Sequence, residues 1–262
     1  MYYIKSIVVL FVFAILLSAC QQNPSTNIAP VLTSSTFKLS TEDCVKDSTC
    51  AKVSIEYPVF VGSVNPEILK SINDAIAKEA VMSFDEGTPT TPIPAAFDTM
   101  AKQLFAMLKS DGSTIPGMSY YYESKGQSVF MSPKFLSVES ISAYFTGGAH
   151  GMYGTKLQTY DLHTGKVVSL TDVVKDTVAL LPLLESAFVA SKKEEGADSK
   201  LEDMLYTDNK HLPMTNNFCI TKEGIRVNYL PYEVAAYAFG ETDILITWEQ
   251  LGKLADSKKW IE

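Results

Sequence analysis

The sequence contains few of the side chains and motifs on which most enzyme active sites depend. Its three histidines are His150, His163 and His211, and they show neither HxxxH nor HExxH spacing. No GxSxG nucleophile elbow and no GxxxxGK[ST] phosphate loop occurs. The sequence therefore predicts no catalytic residue, no metal site and no cofactor. A metal site assembled from distant histidines and carboxylates remains open.

Positive charge is also in short supply. The chain has 22 Lys and Arg residues against 30 Asp and Glu residues, which gives a formal net charge of −8 at pH 7. Nucleic-acid binding depends on clustered Lys and Arg that neutralise phosphates, so this balance argues against a nucleic-acid partner. An acidic surface suits a basic partner protein. It also suits a protein that its charge simply keeps soluble.

Apolar residues, in contrast, are sufficient for a substantial core. Of the 262 residues, 46% are hydrophobic and 20% are charged, which is typical of a globular protein with one or two domains. Several strand patterns are separated by a few helical ones. This order predicts an α+β fold with mainly antiparallel sheets and three or four packed helices.

The N-terminus resembles an export signal. After Lys5 comes an apolar run over residues 7–17, shorter than the roughly 20 residues that a membrane span needs. Leu17-Ser18-Ala19-Cys20 then matches the lipobox of bacterial lipoproteins. We therefore predict a lipoprotein signal peptide over residues 1–19 and an exported protein, anchored through lipidated Cys20 to the cell envelope at the periplasmic face or the outer membrane. A transmembrane anchor and a plain cleaved signal are the alternatives.

Residues 20–36 are mostly Gln, Asn, Pro, Ser and Thr, which predicts a flexible tether between the lipid and the fold. Cys44 and Cys50 lie close together, and in an exported protein we expect them to form a disulfide. They could instead be metal ligands, but no further soft ligand is near them in the sequence. Cys219 lies in a predicted strand, where a buried thiol is expected.

Helical periodicity occurs after Asn65-Pro66, around Phe97 and around Leu180. Asn65 is suited to cap the first of these helices, because Pro66 then takes the first helical position. Strand patterns cover residues 53–61, 118–124, 129–144, 157–161, 166–170, 218–220, 225–229 and 244–248. A closing helix is predicted over residues 249–259. A turn is predicted at Lys125-Gly126.

The sequence YFTGGAHGMYG, over residues 144–154, is the strongest candidate for a binding site. Its glycines predict a strand, a tight turn and a second strand. Adjacent glycines expose backbone N–H groups that can hold an anion or a carbonyl, and a histidine can donate or accept near neutral pH. Alternatively, the glycines only shape a corner that the histidine locks. The candidate binding residues are Tyr144, Gly147, Gly148, His150, Gly151 and Tyr153.

YFTGGAHGMYG is followed by YDLHTGKVVSLTDVV and ITKEGIRVNYLPYEVAAYAFG. Together these motifs resemble a bacterial domain of unknown function. That domain forms the extracytoplasmic part of RsiV-type lysozyme-sensing anti-sigma factors. With a companion domain before it, it also occurs in the non-catalytic N-terminal region of PdaC-type peptidoglycan deacetylases. Residues 144–251 carry the resemblance well, and residues 53–138 resemble the companion domain more loosely.

The resemblance implies a companion domain over residues 37–140 and an RsiV-like domain over residues 141–262, either separate or packed as one unit. It also implies a non-catalytic envelope module that binds a lysozyme-like protein or a peptidoglycan fragment. Nothing in the chain resembles the catalytic domain of the deacetylases. An envelope hydrolase that uses His150 and a purely structural lipoprotein are the alternative interpretations.

Overall fold

In the part of the chain that the structure describes, two β-sheets form the framework, one with five strands and one with three. The strands pair mostly antiparallel, and helices pack on both sheets, so the predicted α+β fold is confirmed. The predicted signal peptide and Cys20 lie outside the residues that the structure describes. This structure, a computed structural model, describes residues 31–46, 49–81, 92–111, 119–197 and 200–262.

A long hairpin begins the first sheet. β1 (Leu32–Lys46) pairs with β2 (Thr49–Gly62) along almost its whole length. The predicted disulfide between Cys44 and Cys50 is present near the tip of this hairpin. Residues 32–36 were predicted to belong to the flexible tether, but they form the start of β1. Strand pairing uses backbone hydrogen bonds, so the polar side chains of these residues do not prevent it.

Two helices cross over the same sheet. α1 (Pro66–Glu79) begins at Asn65, whose side-chain oxygen accepts hydrogen bonds from the backbone N–H groups of Glu67 and Ile68, as the sequence predicted. α2 (Ile93–Ser110) follows. Both helices bury one apolar face against the sheet. The buried residues include Leu69, Ile72, Ile76, Phe97, Met100, Leu104 and Leu108.

β3 (Tyr120–Met131), β4 (Phe135–Phe145) and β5 (Met152–Asp161) complete the first sheet. The spatial order is β1-β2-β3-β4-β5, and β2 pairs with β3 in parallel. The turn predicted at Lys125-Gly126 is wrong, since β3 continues through both residues. Gly126 lies there because a Cβ atom would come within 3.1 Å of Pro58 on the neighbouring strand.

The segment after β5 is less strand-like than predicted. Residues 166–170 contribute a single bridge, Tyr160 to Val167, instead of a strand. The reason is that a capping box at Ser169 already starts a helix there. Three helices follow: α3 (Leu170–Val173), α4 (Thr177–Glu194) and α5 (Leu201–Met204).

The second sheet consists of β6 (Phe218–Ile220), β7 (Gly224–Tyr229) and β8 (Thr242–Thr247), in that order. A 3-10 turn over Tyr237–Phe239 lies between β7 and β8. The predicted closing helix is broken, because Gly252 adopts a φ of 50° and Asp256 starts a new helix. The chain therefore closes with α6 (Trp248–Leu251), a 3-10 turn (Gly252–Leu254) and α7 (Ser257–Ile261).

The buried apolar residues form two clusters. One fills the space between the first sheet and α1 and α2, and the other lies between the second sheet and α4. Phe135, at the start of β4, belongs to the second cluster and packs on Trp260. The predicted domain boundary between residues 140 and 141 falls within β4. The division of the chain into two domains stays a prediction.

Polar side chains join the two sheets. The Asn217 amide accepts from the backbone N–H of Leu157 at 2.8 Å and donates to the Thr155 carbonyl at 2.8 Å, so it pairs with the edge of β5 as a strand would. Arg226 on β7 lies 2.7 Å from the buried Glu139 of β4 and makes a two-pronged bond to Asp243. The Asn217 and Glu139 contacts hold β5 and β4 of the first sheet against the second sheet.

No helix within the described part of the chain combines the length and the apolar character needed to cross a membrane.

Candidate functional site

The glycine-rich segment predicted as a binding site connects β4 to β5. Gly147 and Gly148 have φ values of 97° and 96°, which are favourable for glycine alone among common residues. A Cβ atom on Gly147 would lie 2.5 Å from the Tyr120 hydroxyl, whereas one on Gly148 would meet nothing within 4 Å. The expected strand, turn and strand is confirmed, and Gly147 serves a conformational role.

His150 projects from this turn and is exposed to solvent. Its Nδ1 atom lies 2.9 Å from the carbonyl oxygen of Gly151. A carbonyl oxygen only accepts, so Nδ1 carries the proton in this arrangement and Nε2 is left as an acceptor. The Tyr232 hydroxyl lies 3.4 Å from Nε2. Both ring nitrogens of His150 thus have partners within the fold.

Aromatic rings gather around His150. Tyr237 stacks on it with ring centroids 3.9 Å apart and an angle of 21° between the planes. Tyr232 lies 5.3 Å from Tyr237, and Tyr153 meets Tyr237 edge to face at 5.9 Å. Tyr232 and Tyr153 are 49% and 38% exposed, so much of this surface faces solvent. We call His150, Tyr153, Tyr232 and Tyr237 the aromatic platform.

The Gly151 carbonyl oxygen holds the platform together. It accepts hydrogen bonds from His150 Nδ1 and, at 2.7 Å, from the Tyr237 hydroxyl. These two bonds use both lone pairs of the carbonyl oxygen. Burial against the neighbouring groups raises the pKa of Tyr237, and the adjacent tyrosines Tyr153 and Tyr232 raise it further. The Tyr237 hydroxyl therefore keeps its proton, and its bond to Gly151, at neutral pH.

A buried lysine positions the chain that carries Tyr237. Lys192, near the end of α4, is 1% exposed and donates to the carbonyl oxygens of Phe239 at 2.6 Å and Glu241 at 2.9 Å. The carboxylate of Glu241 in turn accepts from the N–H and the hydroxyl of Thr155 at 3.0 and 3.1 Å. Residues 237–241 are thus fixed between α4 and β5, which places Tyr237 over His150.

The structure brings together three of the predicted binding residues, His150, Gly151 and Tyr153. Gly147 and Gly148 shape the turn beside them. Tyr144 has no ring contact with the platform among the described residues, and it lines a groove next to it. The sequence analysis missed Tyr232 and Tyr237. Both belong to the family motif ITKEGIRVNYLPYEVAAYAFG, so that motif was the signal that could have located them.

Acid–base chemistry has little support at this site. Among the described residues, the His150 ring contacts a carbonyl and a tyrosine hydroxyl but no carboxylate. The histidine closest to a carboxylate is His211, whose Nδ1 lies 2.9 Å from Glu185. One cluster of three potential metal ligands occurs in the described ranges, at Glu42, and its two sulfur atoms belong to the disulfide. The platform can bind by stacking and hydrogen bonding.

Fold and site together define an α+β protein with two joined sheets and an exposed aromatic surface where they meet. Residues 44–153 match the family model described as deacetylase PdaC. Residues 171–249 match the model of a protein family of unknown function, DUF3298. The two models match in the order that the motifs led us to expect, and the resemblance predicted from those motifs is confirmed.

Two solved structures have a similar fold. A DUF3298-family protein from Bacteroides fragilis superposes with a TM-score of 0.65 at 21% sequence identity, over 87% of this chain and 95% of that one. A DUF3298-family protein from Pseudomonas aeruginosa superposes with a TM-score of 0.59 at 20% identity, over 86% of this chain and 95% of that one. At these identities the similarity establishes the fold. A search of the curated proteins found no match.

Proposed function

We propose that this is a lipid-anchored protein of the bacterial cell envelope whose folded part binds a cell-wall glycan without transforming it. A peptidoglycan fragment is the first candidate ligand. The observation that carries the proposal is the aromatic platform, a set of tilted and stacked rings that stays exposed and is held from both sheets.

The chemistry of the platform suits a sugar. A pyranose ring presents C–H groups on its faces and hydroxyl groups around its edge. Aromatic faces offer a broad apolar surface to the C–H groups of the sugar, and tyrosine hydroxyls offer donors and acceptors to its hydroxyl groups. Exposed apolar clusters of this kind are a common mark of a binding surface. The Lys192 and Gly151 contacts fix the rings before a ligand arrives, which lowers the entropy cost of binding.

The same geometry supports binding over hydrolysis. Glycoside hydrolysis usually needs two carboxylates that face each other across the bond, and amide hydrolysis needs an activated nucleophile or metal. In the described residues, His150 is engaged by Gly151 and Tyr232 and has no carboxylate to orient it. A hydrolase based on His150 would therefore lack its partner group.

A lysozyme-like protein is the second candidate ligand, and one observation favours it. The formal net charge of this chain is −8, and lysozymes are strongly basic. Opposite net charges raise the rate of encounter and steer the two surfaces together. Charge alone attracts every basic protein, so specificity would have to come from contacts with the platform or its surroundings.

Calorimetric titration with soluble muropeptides tests the glycan proposal. We expect saturable one-to-one binding to the wild-type chain, and a loss of about twofold to tenfold in affinity for Tyr232→Ser, the size that one aromatic contact supplies. Tyr206→Ser is the matched control, because Tyr206 is also an exposed tyrosine, at 57%, outside the platform. Absence of heat with the wild type, or equal losses in both variants, would overturn the proposal.

Titration with lysozyme tests the second candidate, with a comparably basic cytochrome as the control. Raising the salt from about 0.1 M to about 1 M shortens the Debye length from about 10 Å to about 3 Å, which removes charge steering. A specific complex should keep measurable affinity and should respond to Tyr232→Ser. Equal weak heats from lysozyme and the cytochrome, both abolished by salt, would exclude lysozyme as a specific ligand.

The membrane anchor is tested by Cys20→Ser. Lipidation would place acyl chains on this cysteine, and each buried methylene contributes about 0.8 kcal/mol to membrane binding. We expect the variant to leave the membrane fraction or to accumulate unprocessed. A variant that still fractionates with membranes and still carries acyl chains would show that the anchor is elsewhere.

A further inference from the structure

A groove of about 270 Å³ opens directly beside the aromatic platform. Tyr153 lines both features, so a ligand on the platform can extend into the groove. The groove is smaller than the pockets of about 300–1,000 Å³ that enclose a whole small ligand. It has the size of a subsite for one branch of a larger ligand.

The groove exists because the first sheet is longer than the helix that covers it. Alternate residues of β4 share one face, and on this face Leu136 and Val138 are buried under the helices. Ser140 and Ser142 continue the same face past Glu79, the last residue of α1, and no helix in the described ranges covers them there. Their small side chains leave an open floor.

The walls of the groove carry one charge of each sign. Glu79 lies on one side, and Lys156, which faces Ser140 across the β4–β5 pair, contributes an ammonium. Both side chains are exposed, and neither forms an ion pair or hydrogen bond within the described part of the chain. Leu230 and Pro231 close the remaining side with apolar surface.

We propose that this groove holds a short peptide branch that carries both a free carboxylate and a free amino group. Lys156 pairs with the carboxylate and Glu79 with the ammonium. The Ser140 and Ser142 hydroxyls hydrogen-bond the peptide amides, and Leu230 covers an alkyl side chain. A ligand of one sign only would leave the other wall charge unmatched, so the pair selects an amphoteric peptide.

The assignment rests on the proposed function, because the peptide is taken to be joined to the sugar that lies on the platform. Three probes separate the two ideas: a disaccharide carrying an amphoteric tetrapeptide, the same disaccharide without its peptide, and the free tetrapeptide. The variants are Lys156→Glu, Glu79→Lys and the double variant that exchanges the two charges. Lys125→Glu is the matched control, because Lys125 is an exposed lysine on β3 outside the groove.

We expect the wild-type chain to bind the peptide-bearing disaccharide about fivefold more tightly than the bare disaccharide, which is the upper end of what one solvent-exposed ion pair provides. Lys156→Glu and Glu79→Lys should each remove that advantage and leave binding of the bare disaccharide unchanged. Lys125→Glu should have no effect. Thermal unfolding of each variant checks that the fold is retained. We expect it to be retained, because Glu79 and Lys156 are both exposed.

Equal affinity for the two disaccharides in the wild type would overturn the peptide subsite while the platform proposal stands. Binding of the free tetrapeptide that Lys156→Glu abolishes, with no binding of the bare disaccharide, would support the subsite and overturn the glycan platform. Failure of all three probes to bind would overturn both. Equal losses of affinity from Lys156→Glu and Lys125→Glu would show that the net charge of the protein causes the effect, and this would also overturn the subsite.

Discussion

The ammonium group of Lys192 donates to the carbonyl oxygen of Phe239 at 2.6 Å, in a position where the lysine side chain is almost fully shielded from water. A buried lysine is costly unless its hydrogens are satisfied, and here the Glu241 carbonyl and the Glu195 carboxylate complete the set. The contact links the end of α4 to the segment that carries Tyr237. It is therefore both a stabilising interaction and the support of the aromatic platform.

Replacing Lys192 with Met should lower the free energy of unfolding by about 2–4 kcal/mol, because two buried carbonyl groups lose their donor. Binding to the platform should weaken as well, since Tyr237 loses its support. Urea unfolding and calorimetry measure the two effects. Lys193→Met is the matched control, because Lys193 is exposed on the next position of the helix, and its effect should stay within about 0.5 kcal/mol. Equal effects would contradict the assigned role.

Gly147 and Gly148 should respond differently to alanine. Both have positive φ, so each substitution costs about 1–2 kcal/mol in backbone strain. Only at Gly147 does the new methyl group also meet the Tyr120 hydroxyl, which is hydrogen-bonded to Asp111. We expect Gly147→Ala to be less stable than Gly148→Ala by at least about 1 kcal/mol in chemical unfolding. The reverse order would contradict the described turn.

Glu139→Gln should destabilise the joint between the sheets. Glu139 is 5% exposed and lies 2.7 Å from Arg226. The hydrogen bond from Arg226 to Asp243 is the main cause that raises the pKa of Arg226, so the guanidinium stays charged. Loss of the charge at this partly buried pair should cost about 1.5–3 kcal/mol. The exposed Lys70–Asp74 pair supplies the comparison, and Asp74→Asn should change stability by less than about 0.5 kcal/mol. Similar small effects would show that the network contributes little.

The cysteines should differ in reactivity. Cys44 and Cys50 are joined, and burial raises the pKa of the Cys219 thiol to about 12. In the folded, non-reduced protein we expect no alkylation of these three residues, and in the unfolded, non-reduced protein alkylation of Cys219 alone. Mass spectrometry counts the adducts. Reduction of the disulfide should cost about 2 kcal/mol of stability, because the closed loop is short. Alkylation of Cys44 without reductant would contradict the pairing.

Stability should fall at alkaline pH. Burial raises the pKa of Tyr122 from 10.0 to about 12, and its hydroxyl donates to the Ala80 carbonyl. The folded state holds this proton more tightly than the unfolded state, so the contribution is complete below pH 10 and is lost as the pH rises towards 12. Between about pH 8 and about pH 11, Tyr122 alone should account for about 1.4 kcal/mol.

Tyr122→Phe removes this titration, so its unfolding free energy should depend less steeply on pH over that interval. Urea unfolding at the two pH values makes the measurement. Tyr206→Phe is the control for removal of a tyrosine hydroxyl, because Tyr206 is exposed. Parallel profiles for the wild type and Tyr122→Phe would show that this hydroxyl is not the source of the alkaline loss.

Local signals located α1, α2 and α4 correctly. Asn65 and Pro66 mark the start of α1, and the apolar spacing that follows predicts its buried face. Such features depend on residues within a few positions of each other, so they are legible without the fold. The strands β6 and β7 were predicted for the same reason, from two short apolar runs.

Three of the errors share one physical cause, which is contact between distant segments. The start of β1 is polar and resembles a tether, and only β2 makes it a strand. Glycine is typical of turns, so Gly126 was assigned to one. Its place within a strand is explained by the close approach of Pro58 on the neighbouring strand. Tyr232 and Tyr237 join His150 through a long-range contact that no periodic pattern encodes. Tertiary context overrides local preference in each case.

The parallel pairing of β2 with β3 has a consequence for how the chain reaches its native state. The β1–β2 hairpin and the β3–β4–β5 meander each join neighbouring segments, and such local contacts form early, in microseconds for a hairpin. The parallel ladder, which begins at Ala51 and Tyr120, must close a loop that contains both α1 and α2. Contacts between segments so far apart in sequence slow folding. We expect docking of the hairpin onto the meander to be the rate-limiting step, with the edge of β3 open to misassociation until it is complete.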